Sequence, residues 1–449
     1  MTRLFGTDGV RGEANKELTA ELAYNLGRAA ALYFDKNDKE NCKILIGRDT
    51  RISGAMFEAA LAAGICSAGG NVIITGIIPT PAIAYLTKKH KAKAGIVISA
   101  SHNPFHDNGI KFFGGDGYKL PDEVEDEVAE IVHQISVNDT FPRATGKNVG
   151  MITYRHDLVY DYIDYVTSTI NIKLTDLKIV LDCANGAAYE SMPAVLRRLG
   201  AKLIVINDSP DGININDNCG STHLENLQKE VLSHGADIGV AHDGDADRCL
   251  CVDEKGRVID GDHIIVACAL AMKKRNELHN NTVVSTVMAN IGFHKALKAN
   301  GCKVEITAVG DRYVLENMKK NNYNLGGEQS GHVIFTDFAT TGDGLITALQ
   351  VLAHIVTNKI KASQIVDTMI SYPQLLLNVH VASKDGWQDN DVIKQAIKKG
   401  ETELGCDGRI LVRPSGTEPL IRVMAEGPDQ KQLESICQSI GDIIKEEQG

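Results

Sequence analysis

The sequence predicts an α/β protein built from three related mixed α/β sheet domains and a smaller C-terminal α+β domain around a central cleft. Three observations lead there. The chain has 449 residues, more than one hydrophobic core normally covers. Apolar runs of strand length alternate with amphipathic stretches of helix length, the pattern of sheets covered by helices. A strand, polar loop, strand layout recurs at residues 95–113, 236–252 and 325–335, a likeness of architecture too weak to demonstrate duplication.

Taken in order, residues 5–12 hold three glycines and Arg11, a loop in which backbone can approach an anion and a guanidinium can reach it, or else a plain turn. Residues 18–34 show helical spacing of Leu18, Leu22, Leu26, Ala29 and Phe34. A strand at 43–49, a helix at 56–68, a strand at 71–75 and the apolar run 95–98 predict a parallel, doubly wound sheet, whose ligands sit beyond the carboxyl ends of its strands. The acidic stretch 122–135 reads as an exposed helix, and 137–150 as a crossing to the next domain continued by a helix at 157–170. Strands at 177–183 and 201–206 flank a helix ending near Leu199 and open a second unit. Beyond Ser371, strands at 374–381, 409–413 and 420–426 and a helix at 430–446 form the last domain. The expected domains are 1–152, 153–256, 257–370 and 371–449.

Composition narrows the class. With 43% hydrophobic and 23% charged residues the chain is expected to fold throughout. A net charge of -11 argues against a general nucleic-acid or membrane-surface binder. Ten scattered cysteines form neither a disulfide framework nor a CxxC pair, which fits a reducing cytoplasmic setting. Cys249 and Cys251 alternate along a strand, as small core residues do. The first residues hold no long apolar run and no stretch reaches membrane-spanning length, so neither a signal peptide nor a membrane span is expected.

Four loops carry chemistry. Ser99-Ala-Ser101-His102-Asn103-Pro104 follows a buried strand; a serine at a strand end beside a stiff Asn-Pro turn is a candidate nucleophile, or an ordinary loop serine. Asp243, Asp245 and Asp247 crowd three carboxylates into one short loop, which a divalent oxygen-loving cation would relieve; a structural acidic loop is the plainer reading. An EF-hand is opposed by Arg248 at the turn position and by strand-like flanks. Glu328, Ser330 and His332 on a glycine-rich turn suit sugar hydroxyls and a phosphate. Arg413, Ser415, Gly416 and Thr417 have the parts of an anion-binding nest, to which Arg422 could return. A nucleophile, a metal loop, a sugar loop and a phosphate nest together point to phosphoryl transfer.

These four motifs, in this order over nearly the whole chain, resemble those of the α-D-phosphohexomutase family. Ser101 matches the family's phosphorylated serine, Asp243-Gly-Asp245-Ala-Asp247-Arg248 its metal loop, Gly327-Glu328-Gln329-Ser330-Gly331-His332 its sugar loop and residues 413–419 its phosphate loop. Phe5-Gly-Thr-Asp-Gly-Val-Arg-Gly12, Gln329 and Cys219-Gly-Ser-Thr-His223 resemble the branch acting on amino sugars. The resemblance implies reversible conversion of glucosamine 6-phosphate to glucosamine 1-phosphate, on the route to UDP-N-acetylglucosamine and cell-wall precursors. It implies passage through a sugar 1,6-bisphosphate, one Mg²⁺ per subunit held by Ser101, Asp243, Asp245 and Asp247, and phosphorylation of Ser101. It nominates Arg11, Lys111, His332 and His102 as catalytic, and Glu328, Ser330, Arg413, Ser415, Gly416, Thr417, Arg422 and Arg248 as substrate-binding. The expected partner is a small phosphosugar, with no nucleic acid and no membrane, and a homodimer is the assembly considered. A mutase for mannose or glucose phosphates and a non-catalytic metal- and phosphosugar-binding protein are the alternatives.

Overall fold

The structure is a computed structural model that describes residues 3–6, 8–34, 42–415 and 419–449. The chain divides into two compact units, residues 1–288 with 302–368, and residues 289–301 with 369–449.

In the first unit, β1 (Val10–Glu13), β2 (Lys43–Arg48), β3 (Asn71–Ile77), β4 (Ala94–Ile98), β5 (Asp107–Gly114) and β6 (Ile152–Tyr154) form one sheet in the order β1-β5-β4-β2-β3-β6. Helices α1 (Ala20–Phe34), α2 (Gly54–Ser67), α3 (Thr80–Lys89) and α4 (Asp122–Asn138) accompany it. The strands expected to be parallel, β2, β3 and β4, are so, and the sheet is mixed because β5 runs antiparallel to β4 and β1 antiparallel to β5. The loop between β4 and β5 is too short for a crossover, so it can join only antiparallel neighbours. Helices α1 and α2 pack closely because Gly27 and Gly64 face backbone; a Cβ would fall 2.3 Å from the Leu61 carbonyl oxygen and 2.1 Å from that of Tyr24. The acidic stretch expected as an exposed helix is the amphipathic α4. Its Val128, Ile131, Val132 and Ile135 join the core, and its Glu125 is buried against Arg3 and Arg312.

The same plan recurs twice. After α5 (Leu158–Ser168) come β7 (Lys178–Asp182), α6 (Ala188–Arg198), β8 (Lys202–Ile206), α7 (Glu225–His234), β9 (Ile238–His242), β10 (Cys249–Asp253) and β11 (Val258–Ile259), in the sheet order β11-β10-β9-β7-β8. Then follow α8 (Gly261–Lys274), β12 (Thr282–Thr286), α9 (Ile291–Ala299), β13 (Lys303–Thr307), α10 (Asp311–Asn321), β14 (Leu325–Gly327), β15 (Val333–Phe335), α11 (Gly344–Asn358) and α12 (Ser363–Val366), with sheet order β13-β12-β14-β15. In each sheet an antiparallel hairpin, β4/β5, β9/β10 or β14/β15, is followed by two parallel strands, β2/β3, β7/β8 or β12/β13. The three hairpin loops are the three strand-loop-strand blocks of the sequence. Helices α8 and α11 begin where Asp260 and Asp343 accept backbone N–H bonds as N-caps. β10 puts Cys249 and Cys251 in the core, with their sulfurs 3.9 Å apart.

The second unit is α+β. β16 (Gln374–His380), β17 (Arg409–Pro414) and β18 (Leu420–Glu426) form an antiparallel sheet in the order β16-β18-β17, with α13 (Asp391–Leu404) and α14 (Gln430–Gln448) packed on it. Asn390 and Asp429 cap these two helices. Helix α9 joins this unit through the Ile291 N–H, which donates to Glu426 Oε1 at 2.8 Å.

Candidate active site

Ser101 lies on the loop of the first hairpin, 2% exposed. Its Oγ donates to Asp243 Oδ2 at 2.6 Å, on the loop of the second hairpin, and lies 3.4 Å from His102 Nδ1. The flanks of the acidic loop are β9 and β10, strands where an EF-hand needs helices. Asp243, Asp245 and Asp247 are buried, each with a carboxylate oxygen within 4.8 Å of the others. Asp245 Oδ2 accepts from Lys111 Nζ at 2.9 Å and from Thr80 Oγ1 at 2.7 Å. Asp245 Oδ1 and Asp247 Oδ1 are buried without a hydrogen-bond partner among the described residues. Burial, and then Asp247 and Asp245 beside it, push the Asp243 carboxyl well above the usual carboxylate range. Burial acts the same way on Asp245, but Lys111 outweighs it and holds that carboxyl low. Three converging carboxylates, two orphaned oxygens and all-oxygen donors fit a small hard divalent cation.

Around this pair of loops runs a cleft of about 400 Å³ lined by Asp8, Arg11, Ser101, His102, Lys119, Asp247, Arg248, Asp311, Glu328 and His332, among others. A second cavity, beside Cys268 and His354, is lined by a single permanently charged side chain, Arg275. Arg11 on β1 pairs with Asp8. Asp8 also takes Lys111 at 3.0 Å and Lys119 at 2.7 Å, and Lys119 reaches on to Asp311 at 2.7 Å. Burial opposes charge on Asp8, yet Lys111, Lys119 and Arg11 together hold its carboxyl well below the ordinary value.

The two histidines differ. Burial, with Arg248 and Arg11 nearby, lowers His102 to about 4, so its imidazole is neutral. His332 is buried too, but Asp247 and Asp311, each 3.4 Å from a ring nitrogen, raise it to about 9. Its Nε2 cannot both accept from the Gly342 N–H at 3.2 Å and donate to Asp311. The charged ring is favoured, because two carboxylates outweigh one amide dipole.

Glu328 on the third hairpin loop accepts from Gly310 N–H at 3.2 Å through Oε1. That loop is pinned from below, where Gly261 N–H donates to the Gln329 carbonyl and Cys249 N–H to that of Gly331, both at 3.0 Å. Ser330 does not line the cleft; its Oγ is buried with no hydrogen-bond partner among the described residues. Lys111 stands behind the cleft wall, 2% exposed.

The first unit thus brings together Ser101, His102, Arg11, Lys111, Asp243, Asp245, Asp247, Arg248, Glu328 and His332. Arg413 and Arg422 belong to the second unit, opposite one another in the β17/β18 register, and Ser415 closes that hairpin with its N–H on the Leu420 carbonyl at 2.9 Å. Burial, then Arg422, lowers the Arg413 guanidinium from its ordinary value, a pairing that an anion would relieve. Gly416 and Thr417 lie outside the described residues. Sequence reasoning missed Asp8, Thr80, Lys119 and Asp311. Asp8 stood inside a quoted motif without a role, and the other three lie outside any motif.

The four segments 2–139, 160–256, 260–372 and 376–443 match the models for phosphoglucomutase/phosphomannomutase domains I, II and III, described as alpha/beta/alpha, and the C-terminal domain. The chain belongs to the phosphoglucomutase/phosphomannomutase family, and it is an isomerase of the phosphohexomutase kind. Within that family it is 53% identical over 444 residues to the phosphoglucosamine mutase of Desulforamulus reducens, covering 99% of each chain. It is 52% identical over 448 residues to that of Symbiobacterium thermophilum, covering 100% of each. Among solved structures, a family protein of Burkholderia thailandensis has the same fold with a TM-score of 0.80 at 22% identity, covering 99% of this chain and 97% of that one. The N-acetylphosphoglucosamine mutase of Aspergillus fumigatus, in complex with GlcNAc-6P and magnesium, matches with a TM-score of 0.69 at 17% identity, covering 99% of this chain and 96% of that one.

Proposed function

We propose that the chain interconverts glucosamine 6-phosphate and glucosamine 1-phosphate, with Ser101 as phosphoryl carrier. The observation that carries the mechanism is the contact of Ser101 Oγ with Asp243 of the buried carboxylate triad at 2.6 Å, at the edge of a cleft lined by carboxylates and by Arg11, Lys119 and Arg248. In the forward direction the bond between Ser101 Oγ and phosphorus breaks while the sugar's free hydroxyl bonds to that phosphorus and loses its proton. The resulting 1,6-bisphosphate reverses its orientation, and Ser101 Oγ takes up the other phosphoryl group.

Asp243, Asp245 and Asp247, with an oxygen of phosphorylated Ser101, would hold Mg²⁺, which when bound neutralises charge on the transferring group. His102, 3.4 Å from Ser101 Oγ, and His332, also on the cleft, are the imidazoles placed to exchange the hydroxyl proton. Lys111, behind the cleft wall, is held charged by Asp245 and Asp8 and fixes the carboxylate loop, while Arg11, on the cleft and paired with Asp8, stabilises anionic oxygens; neither abstracts a proton. Glu328 grips sugar hydroxyls, and Arg413, Ser415 and Arg422, with Gly416 and Thr417, take the phosphate that is not reacting. The amino-sugar assignment is supported by the full-length likeness to phosphoglucosamine mutases.

The test is kcat/KM on the 6-phosphates of glucosamine, glucose and mannose, with Mg²⁺ and a trace of the matching 1,6-bisphosphate. Glucosamine 6-phosphate is expected to lead; a preference of about tenfold for either neutral sugar, some 1.4 kcal/mol, would overturn the assignment.

A further inference from the structure

The Ser101 loop has a second set of partners, which hold its backbone rather than its side chain. Ser101 has φ +53°, in the left-handed region that a residue with a Cβ keeps only when its surroundings impose it. Its carbonyl oxygen accepts from Asn216 Nδ2 at 2.9 Å and from Arg51 Nη2 at 3.2 Å. The same two side chains reach the Asn103 carbonyl, at 3.1 Å and 2.5 Å respectively. Two carbonyls are thus each clamped twice, across the turn that presents the Oγ.

The clamp has one arm from each side of a domain boundary. Arg51 is fully buried after β2, where its own N–H donates to Asp49 Oδ1 at 2.9 Å and its guanidinium pairs with the same carboxylate. Asn216 belongs to the segment ending in Cys219-Gly-Ser-Thr-His223. There its N–H donates to the Ala184 carbonyl at 2.9 Å, and the Gly220 N–H donates to Asp182 Oδ2 at 3.0 Å. The metal loop closes over the junction: a Cβ on Gly244 would fall 2.6 Å from the Ser101 carbonyl oxygen and 2.8 Å from Asn216 Nδ2. Neither Arg51 nor Asn216 lines the cleft.

We propose that Asn216 is a positioning residue for phosphoryl transfer: its carboxamide, with Arg51, holds the strained Ser101 backbone so that the Oγ stays in register with Asp243. This rests on the reading of Ser101 as phosphoryl carrier. Without the amide, the Ser101–His102 peptide can rotate toward ordinary φ, and the Oγ leaves its alignment. The groups that face the sugar stay where they are. The loss therefore falls on kcat and spares KM.

Two variants isolate the donor. Asn216→Asp keeps shape and tolerance of the left-handed φ of +58° but replaces the donating NH₂ by an acceptor; Asn216→Gly keeps the backbone freedom and adds no charge. Both are expected to lose about 10- to 100-fold in kcat with KM within about twofold of wild type, whatever the lost donor costs in thermal midpoint. Either variant with kcat within about twofold of wild type overturns the proposal, as does a kcat loss matched by an equal rise in KM and a lowered midpoint, the mark of a merely structural role. Measured alongside, Ser101→Ala separates the premise: full turnover there overturns the carrier reading itself, whereas an inactive Ser101→Ala beside a fully active Asn216 variant overturns only the role of Asn216.

Discussion

Replacing Lys119 by methionine removes one charge and keeps most of the side-chain volume. Lys119 Nζ sits 2.7 Å from both Asp8 Oδ1 and Asp311 Oδ2, with its side chain 12% exposed. At an effective dielectric of about 20, each such pair attracts by roughly 6 kcal/mol, from which the cost of desolvating the ions must be subtracted. Breaking a buried pair by removing one partner typically costs about 3–5 kcal/mol. Here the carboxylates keep other cations, Lys111 and Arg11 on Asp8 and His332 on Asp311, so we expect the lower part of that range, about 3–4 kcal/mol. A thermal midpoint lower by about 5 °C follows. The pH dependence has a definite sign. Both carboxyls are held below their ordinary value, Lys119 contributing to each, so this stability is present above the unfolded carboxylate value near 4 and fades as pH falls through the folded values. The gap between wild type and Lys119→Met, followed by scanning calorimetry, should be full at pH 7 and narrow below about pH 4. A variant melting within about 1 °C of wild type at pH 7, or a gap that widens in acid, would refute this reasoning.

Two further predictions concern ligands. Mg²⁺ at 100 times its dissociation constant should stabilise wild type by about 2.7 kcal/mol, and Asp243→Asn should abolish that response; equal stabilisation of both proteins, measured by thermal shift, would remove the triad as the metal site. Glu328→Gln weakens a charged acceptor for sugar hydroxyls, so KM for the sugar phosphate should rise about tenfold or more while Ser101 still takes up phosphate, as steady-state kinetics and intact mass would show.

The repeating architecture was readable because β4/β5, β9/β10 and β14/β15 are apolar runs bracketing polar loops, and each loop carried its own chemistry in consecutive residues. Ser101, the acidic triplet and Glu328 could be found that way. The antiparallel course of β1 and β5 was hidden, since strand-helix alternation says nothing about a hairpin inserted into it. The buried face of α4 was obscured by its acidic first turn, whose Glu125 is neutralised by arginines more than a hundred positions away. Lys119, Asp311, Arg51 and Asn216 escaped for the same reason: each acts through partners distant in sequence, and no local pattern marks a residue whose meaning depends on what the fold sets opposite it. Lys111 was found by resemblance, but only its two carboxylate neighbours show why it serves as a fixed charge.

The proposed reaction turns on Ser101 as carrier of the phosphoryl group. Intact-mass analysis after incubation with glucosamine 1,6-bisphosphate and Mg²⁺ should show one added phosphoryl group on wild type, mapped by peptide fragmentation to Ser101, and none on Ser101→Ala, whose turnover of glucosamine 6-phosphate should be nearly abolished. Phosphate mapped to another residue, or a Ser101→Ala enzyme that turns over like wild type, would contradict it.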